Sequence, residues 1–111
     1  MLAGRGNGGA GVAAGWMIGV LVETPGEPLP LRRYYAVAKD DRAQAEWAAV
    51  DRALILGRIA TSPVGGVEPV ETVGPLAPRM AASQALRPGM VRDLGFQWPR
   101  RWLARPEPPR E

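Results

Sequence analysis

The chain has 111 residues, no cysteine and no histidine, and a formal net charge of +3. The missing thiol and imidazole exclude disulfides, thiolate metal sites, cysteine nucleophiles and any Ser-His-Asp triad, and leave zinc only carboxylates. The length suits one domain with a modest core, and no enzymatic role and no cofactor are expected of it.

The charge is unevenly placed. Thirteen of the fourteen basic residues are arginine and Lys39 is the only lysine, a composition that with abundant Ala, Gly and Pro points to a GC-rich bacterial genome. From Met17 to Gly95 nine basic residues balance nine acidic ones. The excess therefore sits in the ends, whereas a nucleic-acid-binding fold is expected to carry a basic face on the domain itself.

Residues 1–15 are mostly Gly and Ala and read as a flexible extension, with too little side chain to offset backbone ordering. They contain two overlapping GxGxxG matches, Gly4-Gly6-Gly9 and Gly6-Gly8-Gly11. A dinucleotide fingerprint needs a strand before it and a helix after it, and neither is legible, so the matches read as low complexity. The apolar run Ala10–Val22 is shorter than the roughly 20 residues that span a bilayer, and it lacks a signal-peptide cleavage pattern. Met17 stands at the head of a strand pattern, so residues 1–16 read as a gene-start artefact.

Trp16 to Glu23 predicts a strand with Ile18, Val20 and Val22 on one face. Thr24-Pro25-Gly26 suits a type II turn. Arg32 to Ala38 predicts a second, antiparallel strand, with Tyr35 and Val37 on one face and Tyr34, Ala36 and Ala38 on the other. Asp40 to Gly57 predicts the main helix. Ala43, Trp47, Val50 and Leu54 form one stripe, which is expected to cover the sheet. Asp40 or Asp41 is the expected N-cap and Gly57 the expected left-handed stop. Val67 to Val73 predicts an edge strand broken by Pro69. Pro78 to Leu86 predicts a short helix, and Met90 to Leu94 a last strand or a loop. Residues 16–103 are thus expected to form a single small α+β domain: an antiparallel sheet of order β-β-α-β, one main helix on one face and a short second helix. Residues 104–111 (ARPEPPRE) are expected to be a disordered tail.

With one helix, the second sheet face is expected to stay open, carrying Tyr34, Met17 and Leu21. An open apolar face calls for a partner, most simply a second copy. The other cluster to weigh is Trp98-Pro-Arg-Arg-Trp102. Its indoles and guanidinia could stack on bases, neutralise phosphates or sit at a membrane surface. The plainer reading folds both tryptophans onto the core. Asp40 and Asp41 as paired acids are outweighed by capping. Glu23, Glu68 and Glu71 could form a carboxylate magnesium site, although Glu68 and Glu71 point to opposite faces of a strand. Tyr34, Tyr35 and Lys39 have acid–base chemistry but lie on a strand rather than a helix. Ser62 and Ser83 have no base, and Ser62, before a proline, is at most a phosphorylation acceptor. The expectation is a non-enzymatic cytoplasmic interaction domain, self-associating, with Tyr34, Trp98, Arg100, Arg101 and Trp102 as the residues available to a partner. Nucleic-acid or membrane-surface attachment and a magnesium-dependent enzyme are the alternatives.

Overall fold

The computed structural model describes residues 14–97 and 100–104. The predicted N-terminal extension falls almost wholly outside that range, as do the GxGxxG matches, Trp98 and all but Ala104 of the predicted tail. The order is β1 (Trp16–Glu23), β2 (Leu31–Val37), α1 (Arg42–Leu54), β3 (Arg58–Ile59), β4 (Val70–Pro75), α2 (Pro78–Ser83) and β5 (Val91–Gly95), followed by a 3-10 turn at Arg100–Trp102. The fold is α+β, as the sequence predicts, with five strands pairing antiparallel.

β1 is the central strand because every residue from Met17 to Val22 is buried, so both its faces need cover. β2 pairs along one side of it, from Trp16↔Val37 to Val22↔Leu31. The other side is shared, with β4 alongside Trp16–Val20 and β3 alongside Val22–Glu23. β5 closes the far side of β2, which leaves β3 and β4 on one outer edge and β5 on the other. The turn between β1 and β2 forms as predicted: Gly26 takes φ 89° and Glu27 N donates to Thr24 O at 3.1 Å.

The two-residue period sorts the side chains into two cores. Ile18, Val20, Val22, Tyr35 and Val37 face α1. Met17, Ala36 and Ala38 face the opposite way, against Leu76, Ala81, Leu86 and Trp102. The second sheet face is therefore covered at one end, contrary to the open face expected. Met17 is fully buried and Leu21 nearly so. The cover comes from α2 and the C-terminal turn, where Ala77 N donates to Trp102 O and Ala104 N to Pro75 O.

α1 starts where the sequence places it. Asp41 Oδ1 accepts from Ala43 N at 2.8 Å and Gln44 N at 3.4 Å, and Trp16 Nε1 donates to Asp40 O at 2.8 Å, fixing the chain just ahead of the helix. Its orientation differs from the prediction. The sheet-facing stripe is Ala45, Ala49 and Ala53, all fully buried, while Ala43, Trp47 and Leu54 are exposed. The three alanines recur every fourth residue and let the helix approach the sheet closely. A bulkier stripe would hold it further off than Ile18, Val20 and Tyr35 allow. The stop also differs. Ile55 caps the helix in right-handed geometry, and Gly57 is needed for space, because a Cβ there would lie 2.3 Å from Glu23 O.

β4 begins at Val70 rather than Val67. Val64 and Val67 bond reciprocally around Gly65-Gly66, so Val67 is spent in a tight turn. α2 is shorter than predicted, ending at Ser83, with Ala85 at φ 54° turning the chain back.

Candidate interaction surface

With the alanine stripe against the sheet, the larger apolar residues of α1 come round to solvent. At 3.6 residues per turn, Val50 and Leu54 lie about 100–140° from Ala49, and Trp47 about 160°. Trp47 is 69% exposed, Leu54 54% and Ile55 78%, and Leu56 is exposed after them. They form one ridge from the middle of α1 to its C-terminus. Isolated exposed apolar side chains are ordinary; a run of this size on one face is not.

Trp47 stands between two hollows. The one towards β4 has a volume of about 240 Å³ and is lined by Glu46, Trp47, Val50 and Val70. The other, about 400 Å³, is lined by Lys39, Gln44, Trp47, Ala48 and Asp51. In the first, Thr72 Oγ1 of β4 donates to Glu46 Oε2, so helix and edge strand together hold the carboxylate in place. No arginine or lysine pairs with Glu46 among the described residues.

The remaining carboxylates of the sheet are occupied. Arg32 Nη2 meets Glu71 Oε1 at 2.9 Å, crossing over Gly19 to reach it. A Cβ on Gly19 would lie 2.4 Å from Arg32 Nε, so this crossing depends on glycine. The same guanidinium sits 5.2 Å from the centre of the Tyr34 ring. On the helix side Arg33 Nη2 meets Asp93 Oδ2 at 2.8 Å and lies 4.8 Å from the Phe96 ring centre. Beneath it Tyr35 is fully buried, and its hydroxyl has no hydrogen-bond partner among the described residues. Burial, and then the Asp93 carboxylate, push the Tyr35 phenol above its usual range; Arg33 and Arg52 oppose them.

The residues expected to meet a partner are scattered. Trp102 is 6% exposed within the core that holds Met17, Ala36 and Leu76, which takes one of the two indoles out of any stacking platform. Arg101 is exposed and Tyr34 is half-buried under Arg32. Arg100 begins the 3-10 turn, and Trp98 lies outside the described residues. Glu23, Glu68 and Glu71 are not brought together. Glu71 pairs with Arg32 opposite Gly19, while Glu23 lies four residues further along β1, roughly 13 Å away. Among the described residues no three acidic side chains are gathered where they could hold a metal ion. Ser83 Oγ donates to Met80 O within α2, and Ser62 is exposed in a loop. No helix among the described residues is long and apolar enough to cross a membrane.

Sequence reasoning placed Trp47 and Leu54 in the sheet-facing stripe and did not single out Ile55 or Leu56. The signal that could have corrected this was the small-residue series Ala45, Ala49 and Ala53, which recurs at every fourth position of the helix. No protein family, curated protein or solved structure matches this chain at a significant level.

Proposed function

We propose that this protein is a non-catalytic interaction domain that works through the outward ridge of α1. The observation that carries the reading is the exposure of Trp47, Leu54 and Ile55 on a helix whose other side is fully packed. Burying a side chain of this size contributes about 1.5–3 kcal/mol, so a partner covering three of them gains substantially without any rearrangement of the core. The chain would act in the cytoplasm, and the first partner to test is a second copy. Self-association thereby moves from the sheet face, where α2 and Trp102 already sit, to the helix ridge.

Light scattering of the full chain over a wide concentration range tests this. The expected result is a mass rising above the 11.9 kDa of one chain, and Leu54→Glu or Ile55→Glu holding the protein at that mass. Both positions are exposed, so neither variant threatens the fold. A wild-type protein that stays at one chain up to millimolar concentration contradicts self-association. A wild-type oligomer that both variants leave intact contradicts the ridge.

A further inference from the structure

The cleft between α1 and β4 differs from the hollow on the other side of Trp47 in the charge it carries: Glu46 is its one charged lining residue among those described, whereas the other hollow sets Lys39 beside Asp51. We propose that it receives an arginine side chain from the protein docked on α1. This inference rests on the ridge being the docking surface and adds the chemistry that selects the partner.

Three features converge. The first is the unpaired carboxylate. Glu71, Asp93 and Glu23 each have an arginine within 4 Å, at 2.9, 2.8 and 3.9 Å, whereas Glu46 has none among the described residues. Thr72 engages Oε2 of Glu46, and no side chain among the described residues bonds Oε1. Donation from Thr72 also limits how far the carboxylate can swing, so a cation entering the cleft meets a placed acceptor. The second is Trp47, which lines the same cleft. An indole is the best aromatic face for a cation, and a guanidinium can stack on it while bonding a carboxylate in its own plane. The third is the floor. Val50 and Val70 supply apolar surface for the methylene stem that carries the charged head. A stem that buries on valine, with a planar cation between indole and carboxylate, is the shape and polarity of arginine. A negatively charged or purely apolar side chain would leave Glu46 repelled or desolvated without compensation.

The protein itself uses this combination twice. Arg32 lies against Tyr34 while pairing with Glu71, and Arg33 lies against Phe96 while pairing with Asp93. In the α1–β4 cleft the carboxylate and the ring are present and the arginine is not supplied by the described residues.

The test uses nitrogen-labelled full chain and three probes: the tripeptide acetyl-Leu-Arg-Leu-amide, its citrulline counterpart, and Nα-acetylarginine amide. The arginine tripeptide is expected to shift the Trp47 indole N–H and the Val70 amide saturably. The citrulline tripeptide should bind at least tenfold more weakly, since it keeps the shape and loses the charge. Glu46→Gln should weaken the arginine tripeptide about tenfold. Gln can still accept from Thr72, so the Trp16 and Trp102 indole signals should stay in place and report an intact fold. Absence of a saturable shift overturns the proposal, as does equal binding of the citrulline probe or no effect of Glu46→Gln. Nα-acetylarginine amide carries the same side chain and should move the same two signals, more weakly; a shift confined to other residues also overturns the proposal. Leu54→Glu separates the two readings. Loss of association in Leu54→Glu with no arginine binding in the wild type sinks the cleft alone. Arginine binding in a protein whose association ignores Leu54→Glu sinks the ridge.

Discussion

Substituting the same residue at two alanines of α1 separates the helix orientation in the structure from the one its apolar pattern suggests. Ala49 is fully buried in the centre of the alanine stripe, between Ala45 and Ala53 and against the β1 and β2 side chains. Ala43 is exposed in the first turn. Leucine has nearly the helix propensity of alanine, so the substitution changes the helix itself by only about 0.2 kcal/mol at either position. What remains is packing. Ala49→Leu adds three carbons where helix and sheet are in contact, and overpacking of that kind costs about 1–3 kcal/mol. Ala49 is fully buried in the cluster formed with the β1 and β2 side chains, so the upper part of that range, about 2–3 kcal/mol, is expected. Ala43→Leu should fall within about 0.5 kcal/mol of wild type. Urea unfolding monitored by circular dichroism reads both. With a slope of about 1 kcal/mol per molar for a domain of this size, the Ala49→Leu midpoint drops by about 2–3 M and the Ala43→Leu midpoint hardly moves. If Ala49→Leu is neutral and Ala43→Leu is the damaging variant, α1 faces the sheet with Trp47, and the interaction surface does not exist.

Asp41→Ala removes the acceptor for the first-turn amides of α1 and should cost about 1 kcal/mol, read in the same unfolding assay. Trp102→Ala empties the core under Met17 and Leu76 and should cost about 3–5 kcal/mol, read as a lowered melting temperature; a cost near zero would mean that the C-terminal turn is not docked. Tyr35→Phe deletes a buried hydroxyl that has no hydrogen-bond partner among the described residues and should be neutral or slightly stabilising near pH 7. The raised pKa of Tyr35 also sets a pH dependence. Above an unfolded-state pKa of about 10, the unfolded phenol loses its proton while the folded one keeps it, so the folded state binds more protons and stability falls as pH rises. Wild type should therefore lose stability between pH 9 and 11 more steeply than Tyr35→Phe, and parallel curves would contradict the assignment.

The elements legible in the sequence were those whose signals are local. β1 is a short apolar run with β-branched residues at every second position and β2 alternates, and both the antiparallel pairing and the division of Tyr34 from Tyr35 emerge as read. The start of α1 is written in Asp41. What was not legible depended on contacts between distant segments. A hydrophobicity pattern ranks Trp47 and Leu54 above alanine, so it selects the stripe that is most apolar rather than the one that fits, and here clearance over Ile18, Val20 and Tyr35 decides. β3 is two residues long and exists only because β1 offers Val22 and Glu23 as partners. The cover over the second sheet face needs Trp102 to return to Leu76 and Met17, a closure no periodicity announces. For the same reason the pairing of Thr72 with Glu46, which shapes the α1–β4 cleft, was not foreseen although both residues were in view.

The most direct measurement is the solvent exposure of each indole N–H, read by signal loss to a soluble paramagnetic probe in dilute and concentrated protein. In dilute solution Trp47 should be attacked strongly, while Trp102, buried at 6% exposure, and Trp16, bonded to Asp40 O, should be shielded. At high concentration Trp47 alone of these three should become protected as the ridge is covered. Protection of Trp47 equal to that of Trp102 in the dilute monomer would contradict the account at its root.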